Sequence, residues 1–137
     1  MNRFHTLCAA LLLPLAASAA DLRVTVTEGP ATPSVLYIAL HDSAANYAAT
    51  QPVASQTAPM RNGAAQVVFL GLPPGRYALR AFADENGNAK LDTNMLGIPT
   101  ERYGFSNDAK GTMGPPDFEA AALPVGTSDL TTAIQLH

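Results

Sequence analysis

Three features of this chain predict an all-β fold, a single antiparallel β-sandwich of about seven strands. Short runs alternate apolar, often β-branched, residues with polar ones. Gly, Pro and Asn cluster between those runs as turn signals. No window longer than a turn or two carries the 3.6-residue apolar period of a helix. The chain has 137 residues, enough for one domain.

Residues 1–20 read as a signal peptide, with Arg3 in the basic segment, a short apolar run from Leu7 to Leu15, and Ala17-Ser18-Ala19-Ala20 as the cleavage region. The run is too short for a stable bilayer span, and no second run reaches that length. Cleavage after Ala19 or Ala20 starts the mature domain, 21–137, near Asp21. It removes Cys8, the only cysteine. That excludes disulfides, thiolate metal sites and thiol catalysis. The expected location is periplasmic or secreted. Without Arg3 the net charge is about −4, so nucleic acid is not an expected partner.

The first mature strand alternates Leu22, Val24 and Val26 with Arg23, Thr25 and Thr27. Val35 to His41 is apolar on both faces, as a central strand is. Asp42 to Pro59 reads as a loop with at most one helical turn. Ala65 to Leu70 and Arg76 to Ala83 are the next strands, expected to pair as a hairpin across Gly71-Leu72-Pro73-Pro74-Gly75. In the second of these, Tyr77, Leu79 and Ala81 share one face. A long stretch, 84–116, has no regular pattern. Phe118 to Val125 reads as a strand interrupted by Pro124, and Leu130, Thr132, Ile134 and Leu136 alternate to the end.

Three segments carry a resemblance to a known family: GLPPGRYALRAFADENGNAKLD (71–92), LGIPTERYGFSN (96–107) and GPPDFEAAALPV (114–125). In this order they resemble a bacterial family of exported proteins catalogued as domain of unknown function 2141. The resemblance implies a secreted or periplasmic β-sandwich of about this length and brings no activity with it. The turn Gly-Leu-Pro-Pro-Gly-x-Tyr is also similar to turns of prealbumin-like and carboxypeptidase-regulatory-like sandwiches, which are often accessory or binding modules, and the expected sandwich is of the prealbumin or immunoglobulin kind.

The densest polar cluster is the candidate site. Asp84, Asn86, Asn88, Lys90 and Asp92 fall at positions 1, 3, 5, 7 and 9 of a loop. Calcium takes six to eight oxygen ligands from carboxylates, amides, backbone carbonyls and water. Asp84 and Asp92 offer charge, Asn86 and Asn88 neutral oxygens, and Lys90 only its backbone carbonyl. The EF-hand pattern is incomplete. Ala89 stands at position 6 where that loop has Gly, and Met95 at position 12 where it has Glu. Glu101, or failing it Glu85, is the acid that would fold back to complete the set. The other reading is a structural turn, because Asp, Asn and Gly are the ordinary residues of turns. Length argues for an ordering element: about thirty residues without regular structure are uncommon in a compact domain. Leu91, Met95, Leu96, Ile98, Tyr103 and Phe105 also make the stretch too apolar for disorder.

Other chemistry finds few residues. His41-Asp42 has no indicated nucleophile partner. Ser106 is not in a nucleophile elbow, since Asp108 stands where that motif has Gly. Ser106 and Asn107 are expected to hydrogen-bond loop backbone, and Tyr103, Phe105 and Phe118 to sit in the core. The expected role is that of a non-enzymatic module, its loop ordered by calcium and its partner a protein or envelope component. Two alternatives stay open: a hydrolase using Asp84, Asp92 and Glu101, and a carrier of a small apolar ligand between the sheets.

Overall fold

In the computed structural model, which describes residues 19–137, eight strands form two sheets around a shared core. The strands are β1 (Ala20–Thr27), β2 (Ser34–His41), β3 (Ala54–Met60), β4 (Ala65–Leu72), β5 (Gly75–Asp84), β6 (Tyr103–Phe105), β7 (Leu123–Val125) and β8 (Leu130–Gln135). Two short helices, α1 (Ala44–Ala48) and α2 (Phe118–Ala121), lie between them. Apart from Ala19 and Ala20, the leader read at 1–20 lies outside the described residues. Ala20 is buried and stands opposite Leu72.

The three-stranded sheet has the order β4-β1-β8, and the larger sheet has β3-β2-β5-β6, with β7 also paired to β5. Alternation places Leu22, Val24 and Val26 of β1 inward, facing Leu36, Ile38 and Leu40 of β2 and Leu79, Ala81 and Ala83 of β5 in one apolar cluster. At about 25 cal/mol per Å², burial of such side chains contributes roughly 1.5–3 kcal/mol each before entropy is counted.

Several expectations are corrected. The 65–70 and 76–83 strands do not form a hairpin. β4 pairs with β1, while β5 pairs with β2, β6 and β7 in the other sheet. Pro73 and Pro74 lack the N–H groups that a tight hairpin ladder uses, and the chain arches from one sheet to the other there. The Tyr77 hydroxyl secures the arch by donating to the Pro73 carbonyl at 2.7 Å. The sheets are not wholly antiparallel either, since β1 and β8 run parallel from Leu22↔Leu130 to Thr27↔Gln135.

The 42–59 loop contains both α1 and β3. Ser43 caps α1 by accepting the Asn46 N–H. Strand β3, ASQTAPM, has small and polar residues in place of β-branched ones and lies at a sheet edge, where Pro59 is tolerated. Its alternation is therefore faint in sequence. Phe118 to Val125 is a helical turn followed by β7, because Asp117 accepts the Ala120 N–H and caps the turn.

The long 84–116 stretch is partly regular. It holds β6, which pairs with β5 through Arg80↔Phe105 and Phe82↔Tyr103. Gly104, between them, sits where a side chain cannot fit. An added Cβ would meet Ile134 Cγ2 at 2.9 Å and the Gln135 carbonyl at 3.0 Å. Ser106 is fully buried. Its hydroxyl accepts the Leu79 N–H at 2.9 Å and donates to the Ala121 carbonyl, joining β5 to α2. The Asn107 amide donates to the Ala120 and Ala122 carbonyls. These bonds give Gly104-Phe105-Ser106-Asn107 the structural role expected of Ser106 and Asn107.

Candidate functional site

The acidic loop begins where β5 leaves the sheet. Asp84 is 3% exposed, and its two carboxylate oxygens accept the N–H groups of Gly87 and Ala89, both at 3.0 Å. Asn86 accepts the Asn88 N–H, and Asn88 accepts the Lys90 N–H. This succession of side chain-to-backbone turns coils the loop tightly. Ala89 adopts φ 59°, a left-handed conformation that costs a non-glycine residue about 1–2 kcal/mol. The EF-hand loop makes its sharp turn at this same position 6, with Gly.

The far end of the loop is drawn back by Asp92 and Glu101. The amides of Asn86 and Asn88 donate to the two oxygens of Asp92 at 2.5 and 2.6 Å. Those two amides, Asn88 first, hold the Asp92 carboxyl below its ordinary range. Burial opposes them, and the Lys90 charge contributes less. Glu101 is 7% exposed. It accepts the Glu85 N–H at 2.8 Å through Oε2 and the Asp92 N–H at 3.0 Å through Oε1, clasping both ends of the loop.

The structure therefore brings Asp84, Asn86, Asn88, Asp92 and Glu101 into one hydrogen-bonded unit. Glu85 points elsewhere and accepts the Thr32 hydroxyl. Lys90 enters the unit through its backbone N–H. Among the described residues no three His, Cys, Asp or Glu side chains form a group able by themselves to hold a metal ion. A cation here would need the Asn oxygens, backbone carbonyls and water as well. No basic side chain lies within ion-pair distance of Asp84, Asp92 or Glu101 among the described residues, where the one ion pair is Arg76–Glu119.

Beyond Asp92 the chain forms a small projecting hairpin. Thr93 bridges Pro99, and the Gly97 and Asn94 backbones close its turn. Three of the residues that made this stretch too apolar for disorder, Met95, Leu96 and Ile98, do not turn inward. Met95 and Ile98 are exposed, and Leu96 is 83% exposed. Phe105 and Phe118 are buried as expected, whereas Tyr103 is half-buried on the outer face of the larger sheet. That face also presents Tyr37 and Phe82, which the sequence reading left aside. Their signal was present in their phase, since they alternate with the core residues of β2 and β5 and yet are aromatic.

A model of the bacterial family described as "Uncharacterized protein conserved in bacteria (DUF2141)" matches residues 24–133. The chain belongs to this family. The segments that carried the resemblance are thereby placed: the DUF2141 match takes in the acidic loop, the Glu101 clasp and the Gly104–Asn107 brace. No curated protein matches the chain. Among solved structures the chain is similar to a pilus-presented adhesin, Spy0125 (Cpa), at 16% identity and a TM-score of 0.30. The match covers 89% of this chain and 27% of the adhesin, so the chain spans about a quarter of that protein's length.

Proposed function

We propose that this protein is an exported, non-enzymatic β-sandwich module of the prealbumin or immunoglobulin type whose 84–92 loop binds calcium. In this reading it is a periplasmic or secreted accessory protein that presents the adjoining hairpin to a protein or envelope partner. One observation carries the calcium reading. Three carboxylates, Asp84, Asp92 and Glu101, belong to one coiled unit, and none has a basic partner among the described residues. Two of them are buried. Backbone N–H groups satisfy these carboxylates in part, and a cation would supply the opposite charge that buried carboxylates favour. Each carboxylate oxygen that accepts an N–H keeps a second lone pair for a metal. The left-handed Ala89 at position 6 fits the same reading.

The interaction role rests on the exposed Met95, Leu96 and Ile98, since contiguous apolar groups held in solvent often mark contact surfaces. The hydrolase alternative draws less support. Asp84 and Glu101 spend their oxygens on backbone N–H groups of the loop, which commits them to holding the loop rather than to a substrate.

Thermal unfolding in chelator and in calcium tests the proposal, with magnesium as control. Two or three charged ligands suggest a Kd of about 10⁻⁴–10⁻³ M. At calcium ten times Kd, linkage stabilises the fold by about 1.4 kcal/mol, a rise of roughly 5 °C in Tm for a domain of this size. No shift, with no metal bound by elemental analysis, would rule the site out.

A further inference from the structure

The outer face of the larger sheet is unevenly covered. Helices α1 and α2 close one end, where Tyr47, Phe105 and Phe118 form a second apolar cluster. Beside the acidic loop the face is open and forms a hollow of about 610 Å³, a size typical of small-molecule sites. Its aromatic wall follows from register. Tyr37 stands opposite Phe82, and Phe82 opposite Tyr103, so three aromatic rings line up across β2, β5 and β6. The Tyr37 and Phe82 rings are stacked, with centroids 5.2 Å apart. Leu91 of the acidic loop lines the same hollow.

The next row of the sheet puts Arg80 between Ala39 and Phe105. Its guanidinium lies 3.9 Å from the Tyr47 ring centroid, and one nitrogen donates to the Tyr47 carbonyl at 2.8 Å. No carboxylate lies within ion-pair distance of it among the described residues. Its Nε is buried without a hydrogen-bond partner. His41, 0% exposed, also lines the hollow, and neither of its ring nitrogens has a partner. Buried polar groups left unpaired cost free energy that a bound ligand can return.

We propose that this hollow binds a small aromatic carboxylate, its ring against Tyr37, Phe82 and Tyr103 and its carboxylate on Arg80. A guanidinium gives a carboxylate charge-assisted hydrogen bonds, and the aromatic row suits a flat apolar body. One unpaired cation balances a single negative charge. A dianion such as a phosphate monoester would leave one negative charge without a partner. The site stands apart from the calcium reading, because of the residues it uses only Leu91 lies in the acidic loop.

Titration of the protein with 1-naphthoate, followed by calorimetry and by backbone amide shifts in NMR, tests this. Saturable binding is expected with Kd on the order of 10⁻⁴ M, with shifts centred on Ala39, Phe82 and Gly104. The neutral 1-naphthamide should bind about tenfold more weakly. Arg80→Gln should lose about tenfold for the acid and little for the amide, and Arg80→Lys should fall between. Should Arg80→Gln fail to fold, the comparison of acid and amide on the unaltered protein decides. Equal affinity for the two, shifts centred elsewhere, or no saturation by about 5 mM naphthoate would overturn the proposal.

Discussion

Glu101→Gln isolates the clasp of the acidic loop. The glutamine keeps the size of the side chain but has one oxygen and one NH₂ where the carboxylate has two acceptors. The native oxygens accept the N–H groups of Glu85 and Asp92 at 2.8 and 3.0 Å. One of those donors must then face another donor. Loss of a charge-assisted hydrogen bond costs about 1.5–3 kcal/mol, and a part-buried N–H left unpaired adds to it, for a total of about 2–4 kcal/mol. In a domain of this size each kcal/mol moves Tm by about 4 °C. A fall of roughly 8–16 °C is expected. The assay is thermal unfolding by circular dichroism in chelator, so that metal binding plays no part. Glu85→Gln, on the solvent side of the loop, serves as the control and should stay within about 0.5 kcal/mol of the parent. A Glu101→Gln protein melting within about 2 °C of the parent would refute the idea that Glu101 holds the loop shut.

Three further substitutions probe other parts of the fold. Ala89→Gly removes a Cβ at φ 59° and should raise stability by about 0.5–1 kcal/mol, read as a higher urea midpoint. If the loop binds calcium, it should also tighten the Kd. Gly104→Ala places a Cβ against Ile134 and the Gln135 carbonyl and should cost about 1–3 kcal/mol, with an unchanged urea m-value as the sign that only native packing suffers. Burial, and next Arg80, hold the His41 pKa below its ordinary 6.5, against smaller opposing effects of the Ala78 backbone and Asp42. The unfolded chain therefore takes up a proton more readily, so this contribution is whole above pH 6.5 and is lost as pH falls below it. His41→Leu should flatten the dependence of Tm on pH in that window; an unaltered slope would assign the dependence to other groups.

The extent to which the sequence was legible follows the physics of each segment. Strands β1, β2, β4, β5 and β8 bury one face against the same core, so alternation, or for β2 an apolar run, marks them directly. Strand β3 buries small residues at an edge and leaves only a weak pattern. The turn at 71–75 was visible as a turn, but its residues do not say whether the strands it joins share a sheet. Strand β6 has three residues, too few for any period to show. The loop oxygens were readable because alternate Asx residues act locally. That Glu101, rather than Glu85, closes the loop depends on sheet pairing, which sets Tyr103 beside Phe82 and so carries residue 101 back to the end of β5.

By itself the sequence determined the all-β class, the faces of β1 and β5 and the local Asx turns of the acidic loop, because each of these is set by neighbours a few residues apart. Tertiary structure alone decided that β4 and β5 lie in different sheets, that β1 runs parallel to β8, and that Tyr37, Phe82 and Tyr103 form one row beside Arg80. Those outcomes depend on register between strands far apart in the chain. Local chemistry tells which face a side chain takes, and only the packing of the two sheets tells what stands opposite it.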